Sequence, residues 1–231
     1  MIFVFDLKDK NIKAFDREGK FLRTIGKPGQ GPGDFSIPMS IHWTAREELA
    51  VIDPRRRLLF FKAGGEHLRD LSTASLNLAD ARSVAVGNFL VYLIVYEEAN
   101  PRYELRKVDA GLKDLFALES SPLPNSDQDG FNPFFPILRW ALLPDDRVVC
   151  GYAVKNELRI YDAAGKLARK VLMDRDPVPV AKEDVDERTE GLPPELKQNM
   201  KVPKHYPAFR YIVTDDEGNP VLKRYKVAWK L

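Results

Sequence analysis

Residues 11–35 read NIKAFDREGKFLRTIGKPGQGPGDF. Two short runs, 11–15 and 21–25, alternate apolar and polar residues on either side of the turn Asp16-Arg17-Glu18-Gly19. Alternation with a period of two turns one face of each run toward a core, and a glycine-ended turn joins them as an antiparallel hairpin. The next ten residues, Gly26 to Phe35, hold four glycines and two prolines. Their lysine suggests a phosphate cradle, but such a loop needs Gly-Lys-Ser/Thr at the start of a helix. Here Lys27 is followed by Pro28, and Pro32 and Pro38 oppose a helix. The stretch therefore reads as a crossover between two pieces of sheet, rich in glycine because it needs unusual backbone angles.

The hairpin recurs at 57–71 (RLLFFKAGGEHLRDL), 103–118 (YELRKVDAGLKDLFAL) and 156–172 (NELRIYDAAGKLARKVL). Gly19, Gly65, Leu112 and Gly165 hold equivalent places, 46, 47 and 53 residues apart; at the third copy a glycine stands one place earlier, at Gly111. A second strand–turn–strand pattern occupies 39–53, 82–94, 137–152 and 210–223. Two hairpins per period of roughly 46 residues make four strands, the arithmetic of a β-propeller blade. The expected fold is all-β, a propeller of four-stranded antiparallel blades with about four to five blades present. As one domain over 1–231 it divides into a partial blade over 1–25, blades over 37–72, 81–119 and 137–173, an insert over 174–207, and a partial blade over 208–231. Within the insert, Pro193-Pro194 opens a short candidate helix reaching Met200, and the charged run Lys182 to Glu187 reads as solvated.

Phe15, Asp16, Gly19, Lys20, Phe21 and Leu22, followed by Gly26, Gly29, Gly31, Pro32, Gly33, Phe35 and Pro38, resemble the outer hairpin and crossover of the NHL-type six-bladed β-propellers. Residues 202–209, VPKHYPAF, with the turn Asp215 to Gly218, resemble a late blade of the bacterial six-bladed group. The resemblance implies the six-bladed type and a periplasmic, cell-envelope or lipoprotein setting. It also carries the expectation of truncation at both ends, because the family has a leader and a first strand before the position of Met1 and a closing blade after Gly218.

Composition narrows the function classes. Thirty-six basic against 34 acidic side chains give a net charge of +2, so nothing electrostatic calls for nucleic acid or an anionic membrane. The apolar run Met1 to Phe5 is far short of a membrane span. A lone cysteine, Cys150, excludes an internal disulfide and a cysteine metal cluster, and reads as a small buried hydrophobe. Asn125, Asp127, Asp129 and Gly130 copy the first half of an EF-hand loop, which makes calcium the one cofactor to consider. The twelfth position is Pro136, where a bidentate glutamate is required. His42, His67 and His205 lack metal-ligand spacing, although distant histidines can converge in a folded chain. Arg55, Arg56 and Arg57 read as a solvated corner, and Phe131 to Pro136 as filling between blades or as lining for a face pocket. No catalytic or cofactor-binding residue stands out. The leading functional expectation is a non-enzymatic binding or scaffold module whose face loops hold a protein, peptide or glycan. The alternatives are a metal-dependent lyase or hydrolase with its site in the propeller channel, or a fragment without independent function.

Overall fold

Four hairpin turns that begin with aspartate close in the same way. The Asp16 amide donates to the Lys20 carbonyl (3.0 Å) and the Gly19 amide to the Asp16 carbonyl (3.3 Å), while the Asp16 carboxylate accepts from the Lys20 amide (2.8 Å). The same three bonds recur at Asp109–Lys113, Asp162–Lys166 and Asp215–Asn219. Side-chain acceptors of this kind hold a turn by offering its amides a local partner. The fourth turn residue is left-handed each time: Gly19 (φ 85°), Leu112 (φ 66°), Gly165 (φ 81°) and Gly218 (φ 81°). Gly65, in the turn opened by Lys62, matches them at φ 92°. Gly111 does not take over this role at the third copy; Leu112 itself adopts the left-handed angle, a strain of about 1–2 kcal/mol for a residue with a Cβ. Packing of Leu112 against a buried cluster offsets it.

The computed structural model describes residues 1–36, 39–53, 57–97, 101–123, 130–215 and 217–223. The strands in chain order are β1 (Ile2–Asp6), β2 (Asn11–Phe15), β3 (Phe21–Ile25), β4 (Ser40–Trp43), β5 (Glu48–Asp53), β6 (Arg57–Lys62) and β7 (His67–Ser72). They continue with β8 (Leu78–Ser83), β9 (Phe89–Val95), β10 (Arg102–Val108), β11 (Asp114–Pro122), β12 (Leu138–Leu142), β13 (Val148–Tyr152), β14 (Glu157–Tyr161) and β15 (Leu167–Leu172). After two helices come β16 (Tyr211–Thr214) and β17 (Pro220–Lys223). They form sheets β1-β2-β3, β4-β5-β6-β7, β8-β9-β10-β11, β12-β13-β14-β15 and β16-β17, each a meander in sequence order. The architecture is a β-propeller of four-stranded antiparallel blades.

The chain divides into two compact units, Met1–Val95 with Glu104–Leu118, and Tyr96–Tyr103 with Glu119–Leu231. In the first, the inward faces of β5 and β6 supply two cores. Ala50, Ile52, Leu58 and Phe60 pack with Phe89, Val91 and Val108, while Leu49, Val51, Leu59 and Phe61 pack with Ile12, Ile25 and Phe35. In the second, Val149 and Leu158 pack with Phe209 and Ile212.

The crossover explains its own glycines. Gly26 lies beneath the Phe35 ring at φ 69°, and a Cβ there would fall 2.0 Å from Phe35 Cζ. Phe35 is fully buried, with its amide on the Lys27 carbonyl (3.0 Å) and its carbonyl accepting from Gly29 (3.2 Å). The loop closes around Arg57, whose guanidinium donates to the Asp34 carbonyl (2.7 Å), the Gly31 carbonyl (3.4 Å) and the Asp70 carboxylate (3.1 Å). Asp53, completely buried, lies 3.6 Å from the same guanidinium and accepts from the Ser36 amide (2.9 Å) and hydroxyl (3.0 Å). Arg57 is thus the post around which the crossover is wound, not part of a solvated corner; Arg55 and Arg56 lie outside the described residues.

The insert holds α1 (Lys182–Thr189) and α2 (Pro194–Gln198). The charged run expected to be merely solvated is helical. Glu183 and Asp184 in its first turn and Arg188 in its last complement the helix dipole, and Thr189 is buried. Pro194 begins α2, where a missing amide hydrogen is harmless.

Candidate functional site: a cavity under the insert

The outgoing and returning arms of the insert pair with each other before the chain rejoins the sheet. Pro179 bridges to His205, the Tyr206 amide donates to the Val178 carbonyl (2.9 Å), and the Val180 amide to the Lys204 carbonyl (3.1 Å). The returning arm then anchors on the second unit's sheet. The Ala208 amide donates to the Ala153 carbonyl (2.8 Å), and Phe209 is buried against Gly151. Gly151 sits within β13 because a Cβ there would lie 2.7 Å from the Glu157 carbonyl and 3.0 Å from Phe209 Cζ.

A second set of contacts ties the helices to the loop before β12. The Phe131 amide donates to the Asn199 carbonyl and the Lys201 amide to the Phe131 carbonyl, both at 2.9 Å. Arg188 donates to the Pro133 carbonyl (2.5 Å) and lies 5.0 Å over the Phe134 ring. Phe134 meets Tyr206 edge to face, with centroids 5.1 Å apart. The Tyr206 hydroxyl accepts the Ala181 amide (3.0 Å) and donates to the Asp184 carboxylate. Burial, then that carboxylate, raises the phenol pKa, so the hydroxyl keeps its proton.

These ties leave a cavity of about 390 Å³, within the range of small-ligand sites. Its walls come from 132–136, 153–156, 176–178 and 203–208. Asn132, Asn156, Asp176 and His205 supply polar groups, set among apolar surface that includes Phe134 and Val154. Val154 is 60% exposed and forms part of the rim.

The sequence candidates fall in several places. Asn132, Phe134 and Pro136 of the run singled out above line the cavity, and so does His205. Asn125, Asp127 and Asp129 lie outside the described residues. His67 in β7 is 2.7 Å from Asp70 and packs beneath Gly33. His42 in β4 accepts the Ser83 amide at Nε2 (3.2 Å), while its Nδ1 is buried without a partner. Burial, reinforced by the Arg82 charge, lowers its pKa to about 4 and keeps the ring neutral. Beside it, Asp80 accepts from Arg82 (2.5 Å) and from the Ser40 hydroxyl (3.1 Å). Cys150 is buried, and desolvation raises its thiol pKa. Next to it, Glu119 accepts from Tyr161 and from Arg159 (2.6 Å) at a recess of about 90 Å³. Among the described residues no group of three or more His, Cys, Asp or Glu is arranged to hold a metal ion, and no helix is long and apolar enough to cross a membrane. Val154, Asn156 and Asp176 went unread in the sequence. The sign the sequence did carry was the Phe131 to Pro136 run; the prolines at 177, 203 and 207, which also line the cavity, went unread.

Comparison with solved structures finds propeller-like chains. A candidate exported protein of Bacteroides fragilis NCTC 9343 superposes with a TM-score of 0.55 at 13% identity, over 81% of this chain and 52% of that one. A DUF4221 member from Bacteroides vulgatus ATCC 8482 gives 0.49 at 12% identity, over 73% and 52%. The virginiamycin B lyase of Staphylococcus aureus gives 0.42 at 8% identity, over 75% and 52%. The chain therefore spans about half the length of each, and for the first, at 13% identity, the likeness is one of fold. No curated protein matches the sequence. Over residues 1–110, the part that holds the glycine-rich crossover, the chain matches the family described as 6-bladed beta-propeller.

Proposed function

We propose that the protein is a non-enzymatic binding module that takes a projecting group of a protein, peptide or glycan partner into the cavity under the insert. One observation carries this reading: a cavity of about 390 Å³ whose roof is tied by main-chain hydrogen bonds to Ala153, just past β13, on one side and to Phe131, in the loop before β12, on the other. A roof held in this way is preorganised, so little ordering opposes association. The mixture of apolar wall and a few polar groups suits recognition with a defined orientation. The family resemblance supports an extracytoplasmic location for this activity.

Peptide and glycan arrays probed with the wild-type protein and with Val154→Arg test the reading. Val154 is rim-exposed, so arginine fills the mouth without disturbing the core. The wild type retains a subset of array members, and Val154→Arg loses them by at least about tenfold with an unchanged melting temperature. Retention unaffected by Val154→Arg, or no retention by the wild type, overturns it.

A further inference from the structure

More than half of the residues lining the cavity offer no free amide hydrogen, and the side-chain donors are confined to Asn132, Asn156 and His205. Four of its fourteen lining residues, Pro136, Pro177, Pro203 and Pro207, have no amide hydrogen. Four more have already spent theirs: Phe134 on the Asn132 side chain (2.8 Å), Ala153 on the Ile137 carbonyl (3.4 Å), Tyr206 on Val178 and Ala208 on Ala153 (2.9 and 2.8 Å). The Tyr206 hydroxyl proton is committed to Asp184. Acceptors remain, because each prolyl carbonyl has two lone pairs and Asp176 adds a carboxylate that has no cationic partner among the described residues. Arg175 and Lys204 flank the lining in sequence but are exposed and do not line it.

A ligand that complements this surface brings donors and positive charge on an apolar stem. We infer, resting on the binding reading above, that the cavity takes a lysine or arginine side chain of a partner polypeptide, its methylenes against the proline and valine walls and its head group toward Asp176. Long cationic side chains present this combination of apolar stem and charged tip. The volume has room for the side chain together with the peptide unit that carries it. Prolines on both arms also keep the paired strands of the insert from adding the partner's backbone as a further strand, so recognition falls to the side chain.

The test is titration of capped tripeptides followed by amide chemical shifts, with lysine, norleucine or glutamate at the centre, and n-butylammonium as the free amine. The lysine peptide is expected to bind about fivefold tighter than its neutral norleucine isostere, a rim-exposed charge being worth that much. The glutamate peptide binds weakest, and n-butylammonium binds more weakly than the lysine peptide. Asp176→Asn abolishes the lysine preference and leaves norleucine binding unchanged, while Val154→Arg weakens every peptide. If norleucine binds as well as lysine, or Asp176→Asn leaves the preference intact, the inference of a basic side chain falls and the cavity remains a binding site. Equal binding of n-butylammonium and the lysine peptide overturns the polypeptide partner. If no probe shifts the amides around the cavity, both the inference and the binding reading fall.

Discussion

Gly19 and Gly26 share a residue type and a left-handed backbone but answer different demands. A methyl added at Gly19 would meet nothing within 4 Å, so Gly19→Ala faces only backbone strain and is expected to lower stability by about 1–2 kcal/mol. At Gly26 the same methyl would overlap the fully buried Phe35 ring, so Gly26→Ala is expected to lose more than about 3 kcal/mol, on the scale of losing the ring's packing. Urea unfolding of the two variants separates the cases, and equal losses would contradict the account. His42 gives a prediction in pH. Its Nε2 accepts the Ser83 amide, which assigns the ring proton to Nδ1, and the folded pKa of about 4 lies below the ordinary 6.5. Between those two values the unfolded chain binds more protons, so stability is full above about pH 6.5 and falls as the pH drops toward 4. The total contribution is on the order of 3 kcal/mol. Urea midpoints from pH 7 to pH 4 are expected to fall more steeply for the wild type than for His42→Gln; parallel slopes would refute the assignment.

Among elements, the insert and its anchors govern the cavity. The Tyr206 hydroxyl joins α1 to the returning arm through Ala181 and Asp184. Tyr206→Phe keeps the edge-to-face contact with Phe134 and removes only these bonds, so its effect is local. Hydrogen exchange is expected to speed about tenfold at the amides of 181–189, matching a loss of roughly 1.4 kcal/mol, while β12 to β15 stay protected. Uniform acceleration across the sheet would show that the insert is not a separate element. Gly151→Ala acts at the other anchor, where the added methyl pushes against Phe209, and a melting temperature lower by several degrees is expected. The first of these anchors could not have been read from α1's sequence. Lys182 to Thr189 has no apolar stripe beyond Val185, so the helix depends on its charges at each end and on the tertiary contacts of Arg188, none of which periodicity reveals.

At the scale of the whole molecule, what local chemistry determines was legible and what distant segments assemble was not. Asp16, Asp109, Asp162 and Asp215 each close a turn with their own side chain within four residues, so the repeat and the blade architecture could be read from spacing. Arg57 gave no such sign, because its partners Gly31, Asp34 and Asp70 are 13 to 26 residues away. The cavity draws on four segments between Asn132 and Ala208, and only the Phe131 to Pro136 run hinted at a pocket. The central claim is that this cavity is where the protein binds its partner. A crystal structure with the tightest array ligand tests it most directly. The account predicts ligand density between 132–136 and 203–208, in contact with Val154 and Asp176. Ligand seated elsewhere, with none in the cavity, would contradict it.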